Sequence, residues 1–157
     1  YTVRGLRAWA ITATLLALIP TNLLLVGSGM AAIFARAEPI FRDGAEIKAL
    51  DWLAARATYD DVVLCSYAAG NYLAGRVGTR VFIGLGTETV HVQDKRALME
   101  QFFAPATSDE WRARFLREWR ITYVFARPDD HFAPGNSAVL SPVYQSGEYI
   151  IYRAPVY

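Results

Sequence analysis

Asp60-Asp61-Val62-Val63-Leu64-Cys65 is the stretch on which the fold turns. Two carboxylates followed by a short, β-branched apolar run are too brief for a helix. They read as a strand buried on both faces, of the kind found in parallel sheets. Upstream, Asp43 and Glu46 have the spacing of a capping box, and Ile47, Leu50, Leu53, Ala54 and Ala57 recur on one helical face, which predicts a helix over 44–57. Downstream, residues 67–74 predict a short helix stopped near Gly75. Arg80-Val81-Phe82-Ile83, bounded by Gly78 and Gly84, then predicts a second strand.

The pattern continues to the end of the chain. A glycine-rich loop over 84–89 leads to a helix at 92–103, where Lys95, Leu98, Met99, Phe102 and Phe103 share a side. Thr107 and Glu110 have capping-box spacing and open a helix at 108–119, with Trp111, Phe115 and Trp119 at i, i+4 and i+8. Its acids (Asp109, Glu110) come first and its arginines (Arg114, Arg117, Arg120) last, as the helix dipole prefers. Ile121-Thr122-Tyr123-Val124-Phe125 predicts a third strand. Val143-Tyr144-Gln145 and Tyr149-Ile150-Ile151-Tyr152, around Ser146-Gly147, predict a terminal β-hairpin. The expected fold class is α/β: a layered domain over 38–157 with a mixed sheet and a C-terminal hairpin.

Residues 1–37 are of another kind. Between Arg7 and Arg36 no side chain ionises, and the 28 residues of 8–35 are dense in Leu, Ile, Val and Ala. A bilayer core needs about 20 such residues as a helix. Pro20, Thr21 and Asn22 interrupt the run, so it reads either as one kinked span or as a span over about 5–19 followed by an interfacial helix. The bland competitor is a signal peptide cleaved near Ala35-Arg36-Ala37, but the apolar run is much longer than the roughly 7–15 residues of such a segment. Arg4, Arg7 and Arg36 face no acid within residues 1–36, so the rest of a chain of net charge +1 carries −2. That asymmetry places Arg4 and Arg7 on the cytoplasmic side and residues 38–157 outside the cell membrane. The expected partner is the lipid bilayer.

Composition excludes several classes. A near-neutral chain with 20% charged residues is neither disordered nor a basic nucleic-acid binder. One cysteine, Cys65, allows no intrachain disulfide, and with only His91 and His131 beside it there is little material for a metal site. Nothing calls for a cofactor. A chain that opens on Tyr1 reads as a piece of a longer protein, whose remaining part holds the chemistry.

The order of parts is familiar: an apolar helix with Pro20-Thr21-Asn22, Trp52-Leu53, the Val-Val-Leu strand, Arg80-Val81-Phe82-Ile83-Gly84, Glu88-Thr89, Lys95, Phe102-Phe103, the Ile121 to Phe125 strand and a closing Tyr149 to Arg153 run. It resembles the C-terminal end of bacterial polytopic membrane glycosyltransferases of the GT-C type, related to glycosyltransferase family 39 and the protein mannosyltransferases. The resemblance implies a lipid-phosphate-linked sugar as donor, further transmembrane helices of the same protein as partners, and catalytic acids in an early external loop upstream of Tyr1. No catalytic residue is carried over. Two departures stand out: Leu85 follows Gly84 where such relatives have histidine, and Arg127-Pro128-Asp129-Asp130 stands where they have a Gly-Pro-x-Glu turn. The alternative is a membrane-anchored or secreted α/β binding or structural domain with no enzymatic activity.

Within the domain the candidate substrate-binding residues are Thr87, Glu88, Thr89, Lys95 and Arg127. Glu88 sits between two threonines at the end of a strand, where open α/β sheets place ligands. Lys95 and Arg96, alongside Arg80 and Arg127, carry charge suited to phosphate. The plainer reading makes Glu88 a loop carboxylate that caps the next helix or pairs with Lys95, and the cations solvated surface charges. Gly84-x-Gly86 is too short for a dinucleotide fingerprint. Trp111, Phe115 and Trp119 read as core, and Cys65 as a small buried hydrophobe.

Overall fold

A computed structural model describes residues 2–35, 41–87, 89–132 and 139–155. The chain divides into two compact units, 1–42 and 43–157.

Among its described residues the first unit holds one helix, α1 (Thr2–Phe34). Its 33 residues amount to about 50 Å of helix. Within it, Arg7–Phe34 is long and apolar enough to cross a membrane, with mean hydropathy 1.9. Of the two sequence alternatives, the single helix is the one found: α1 runs through Pro20, although proline has no N–H to give the preceding turn. The polar side chains bond back to the helix's own carbonyls. Thr12 Oγ1 donates to Ala8 O at 3.0 Å, Thr14 Oγ1 to Ala10 O at 2.9 Å and Asn22 Nδ2 to Leu18 O at 3.0 Å. Such bonds lower the cost of placing hydroxyls and amides in an apolar medium.

The second unit is a five-stranded mixed sheet between two helical layers. Its elements are α2 (Gly44–Ala54), β1 (Val62–Leu64), α3 (Tyr67–Val77), β2 (Arg80–Val81), α4 (Val92–Phe103), α5 (Asp109–Glu118), β3 (Tyr123–Ala126), a 3-10 turn (Pro128–Asp130), β4 (Ser141–Ser146) and β5 (Tyr149–Arg153). The strand order is β2-β1-β3-β5-β4. β1 lies parallel to both β2 and β3, and β5 runs antiparallel to β3 and β4.

Strand alternation sends Val63, Cys65, Tyr123, Phe125 and Ile151 into one core with Leu50, Leu53 and Leu73 of α2 and α3. Leu64, Val124 and Tyr152 join the other, with Phe102, Phe115 and Leu116 of α4 and α5. Phe115 is buried, Trp111 stacks on it at 5.2 Å, and Trp119 meets Phe82 edge-on at 5.0 Å, so the aromatic series is core.

Local signals are met with shifts that have physical causes. Asp43 caps α2, its Oδ1 accepting from the Ala45 N–H at 3.1 Å, but Glu46 turns inward and is fully buried. α3 runs through Gly75 and ends at Gly78, whose φ of 68° is the left-handed stop that glycine adopts freely. The cap of α5 is Ser108, one residue after Thr107, with Ser108 Oγ accepting from the Trp111 N–H. The Thr107 hydroxyl instead donates to Gln101 O. α5 ends on Arg120 at φ 51°, a left-handed position that costs a non-glycine residue about 1 kcal/mol. Buried Arg112 holds the end of α4, donating from Nε to Phe102 O at 3.0 Å and from Nη2 to Ala104 O at 2.8 Å. β2 is cut to two residues because Ile83 bends against Gly70 of α3, where a β-carbon would overlap the Ile83 carbonyl.

Candidate functional site at the crossover between β1 and β3

The topology selects a site before any side chain does. From β1 the chain crosses by α3 to β2 on one side, and later by α4 and α5 to β3 on the other. The carboxyl ends of β1 and β3 therefore flank a switch point, where open α/β sheets leave a crevice. Two short connections meet there: Cys65-Ser66 leading into α3, and Arg127 leading into the 3-10 turn and His131.

A groove of about 540 Å³ opens at this point, lined by Ser66, Tyr67, Arg96, Asp130 and His131 among others. The Asp130 carboxyl lies in a partly desolvated setting there. Partial burial raises the carboxyl above its ordinary range, opposed by the Arg127 backbone N–H, which donates to Oδ2 at 2.8 Å, by the Ser66 hydroxyl and by the Arg127 charge. The buried Ser66 oxygen lies near enough to favour ionised Asp130, without a hydrogen bond of ordinary geometry. Arg96 is an exposed cation on the other wall, paired with Glu100 at 3.0 Å and set 5.6 Å from the Tyr67 ring centre. Cys65, the residue before Ser66, is fully buried in the core on the α2 and α3 side, and desolvation pushes its thiol up to about 12, which makes it unreactive.

The expected site residues are distributed differently. Glu88 lies outside the described residues. Thr87 is exposed in a turn. The Thr89 hydroxyl accepts from the Gly84 N–H at 3.3 Å and its own N–H donates to Leu85 O at 2.9 Å, so the loop closes on itself. Lys95 shares a shallow groove with Thr89, its Nζ 5.3 Å from the Phe82 ring centre. Arg127 is buried on the opposite face of the sheet, Nε 3.7 Å from Glu46 Oε1 of α2. The structure thus brings Thr89 and Lys95 together and separates Arg127 from both. One link joins the loop to the crevice: Gly86 stands against the Tyr67 hydroxyl so closely that a β-carbon would crowd it.

Sequence reasoning had no means of selecting Ser66, Asp130 and His131, because their meeting depends on which strands are neighbours. The arrangement offers two carboxylates (Asp130 and Glu100), a guanidinium, an imidazole and two hydroxyls, a set suited to holding a polar ligand. Among the described residues no three His, Cys, Asp or Glu side chains gather as a metal ion would require.

No protein-family model and no curated protein matches the sequence. Among solved structures, the chain is similar to the C-terminal globular domain of an oligosaccharyltransferase from Archaeoglobus fulgidus, with a TM-score of 0.56 and 14% identity over 73% of this chain and 99% of that one. At that identity the likeness is one of fold: a long apolar helix is followed here by an α/β domain of the same architecture as the globular end of that protein.

Proposed function

We propose that this chain is part of a membrane glycosyltransferase of the GT-C type, in which the α/β domain holds the acceptor and another part of the same enzyme performs transfer from a lipid-phosphate-linked sugar. One observation carries the reading: an α/β domain with the fold of the oligosaccharyltransferase globular domain directly follows a helix of membrane-spanning length. In this reading α1 crosses the bilayer, and its exposed Trp9, Leu15, Leu24 and Leu25 meet lipid or further helices of the enzyme. The basic flank at Arg4 and Arg7 supports an extracytoplasmic domain. The crevice would seat the acceptor through Asp130 and Arg96.

The test is made in the full-length protein in membranes supplied with a lipid-linked sugar. Asp130→Asn and Arg96→Ala are expected to lower kcat/KM for acceptor by about tenfold, the equivalent of a lost charge-assisted hydrogen bond, with thermal stability unchanged. Alkaline phosphatase fused after Tyr157 should be active. Turnover that is untouched by both variants removes the crevice from the mechanism. A full-length protein that never consumes a lipid-linked sugar favours the anchored binding module instead.

A further inference from the structure

At the other end of the sheet, where β1 and β3 begin and β5 finishes, lies a cavity of about 570 Å³. Its walls carry Arg117 and Arg120 from the end of α5 and Arg153 from the end of β5, over a floor of Ile121, Ala154 and Pro155. Thr122 also lines it, but its hydroxyl is engaged by the β1 backbone, accepting from the Val62 N–H at 3.0 Å. Recognition there falls to the guanidinium groups. Arg153 is held in place by donating to the Tyr123 hydroxyl at 3.1 Å. The Asp61 carboxylate bears on it as the opposing charge, while Asp61 is itself tied to the Thr58 N–H at 2.7 Å.

Arg120 sets this cavity apart from an ordinary basic patch. It occupies the left-handed residue after α5, which glycine would fill without strain. The plainer explanation is charge complementing the carboxyl end of the helix. Arg117 already supplies that within the last turn, so the dipole does not call for a strained arginine as well. A side chain retained against its backbone preference marks a place where something besides folding is served.

We infer that this cavity is a binding site for a phosphate-bearing anion, separate from the switch-point crevice and independent of its function. The guanidinium fork matches phosphate oxygens two at a time, and no carboxylate is among the described residues that line the cavity. The phosphate belongs either to a soluble molecule or to the headgroup of an anionic lipid.

The experiment uses the whole chain in phosphatidylcholine nanodiscs titrated with inorganic pyrophosphate. Saturable binding is expected, weakening several-fold as NaCl rises from about 50 to about 300 mM. Arg120→Gly should lower the affinity by about tenfold or more while the unfolding midpoint stays level or rises by a few degrees, because glycine relieves the backbone. Arg117→Glu should abolish binding. Repeating the titration in discs that contain phosphatidylglycerol separates the sources: loss of the pyrophosphate response identifies a lipid headgroup as occupant, and an unchanged response identifies a soluble phosphate. Absence of saturable binding, or an Arg120→Gly protein that binds like the parent, overturns the assignment.

Discussion

Replacing Glu46 by alanine is expected to destabilise the α/β domain by about 3–5 kcal/mol, the penalty for removing one partner of a buried ion pair. Glu46 is fully buried, Arg127 is 7% exposed, and their charged groups stand 3.7 Å apart. α2 is the first element of the domain, and Arg127 follows the carboxyl end of β3, so the pair fastens the entry of the domain to the segment that leads into the 3-10 turn. The measurement is thermal unfolding of the whole chain in neutral detergent, followed by near-ultraviolet circular dichroism. Trp52, stacked on Tyr144 at 5.2 Å, reports on packing of α2 against the hairpin. The double variant Glu46→Leu/Arg127→Met should recover part of the loss, because it removes both members of this buried pair at once. A Glu46→Ala cost below about 1 kcal/mol, with additive behaviour in the cycle, would show that the pair is solvated in solution and contributes as little as a surface bridge.

Gly70→Ala should cost about 3 kcal/mol or more, against the ordinary sign of such a change. In a helix interior alanine is normally favoured over glycine by about 1 kcal/mol. At Gly70, however, the new methyl would overlap the Ile83 carbonyl, which belongs to rigid backbone and cannot swing aside. The helix must withdraw from the strand end, and with it the Ser66-Tyr67 turn that forms one wall of the crevice. Gly75 supplies the control on the same helix: nothing lies within 4 Å of a β-carbon there. Gly75→Ala is expected to stabilise by about 0.5–1 kcal/mol. Denaturant titration of the two variants side by side checks the contrast, and equal effects would mean that the approach of Gly70 to Ile83 is not the constraint.

The sequence by itself determined what depends on neighbours along the chain. Residues 8–35 without a charge specify an apolar helical segment, though not whether it runs unbroken through Pro20; Asp43 marks the start of α2, the apolar faces of α4 and α5 are visible at helical spacing, and Ser146-Gly147 between alternating segments announces the hairpin. Each rests on backbone preference or local periodicity, which act within a few residues. Element ends were less legible. Thr107 and Ser108 are both competent caps, and only the contact of Thr107 with Gln101 decides between them.

What the tertiary structure decided is everything that depends on strand order. That β3 inserts between β1 and the hairpin follows from burying both faces of the sheet at once, a global condition that no window of residues expresses. From that one choice come the crevice between Ser66 and Asp130 and the separation of Lys95 from Arg127 by the thickness of the sheet. The Glu46–Arg127 pair and the arginine-lined cavity at the far end follow from it as well. Charged residues have no periodicity of their own to announce a partner; burial and the paths of the strands bring them together after the apolar residues have set the layers.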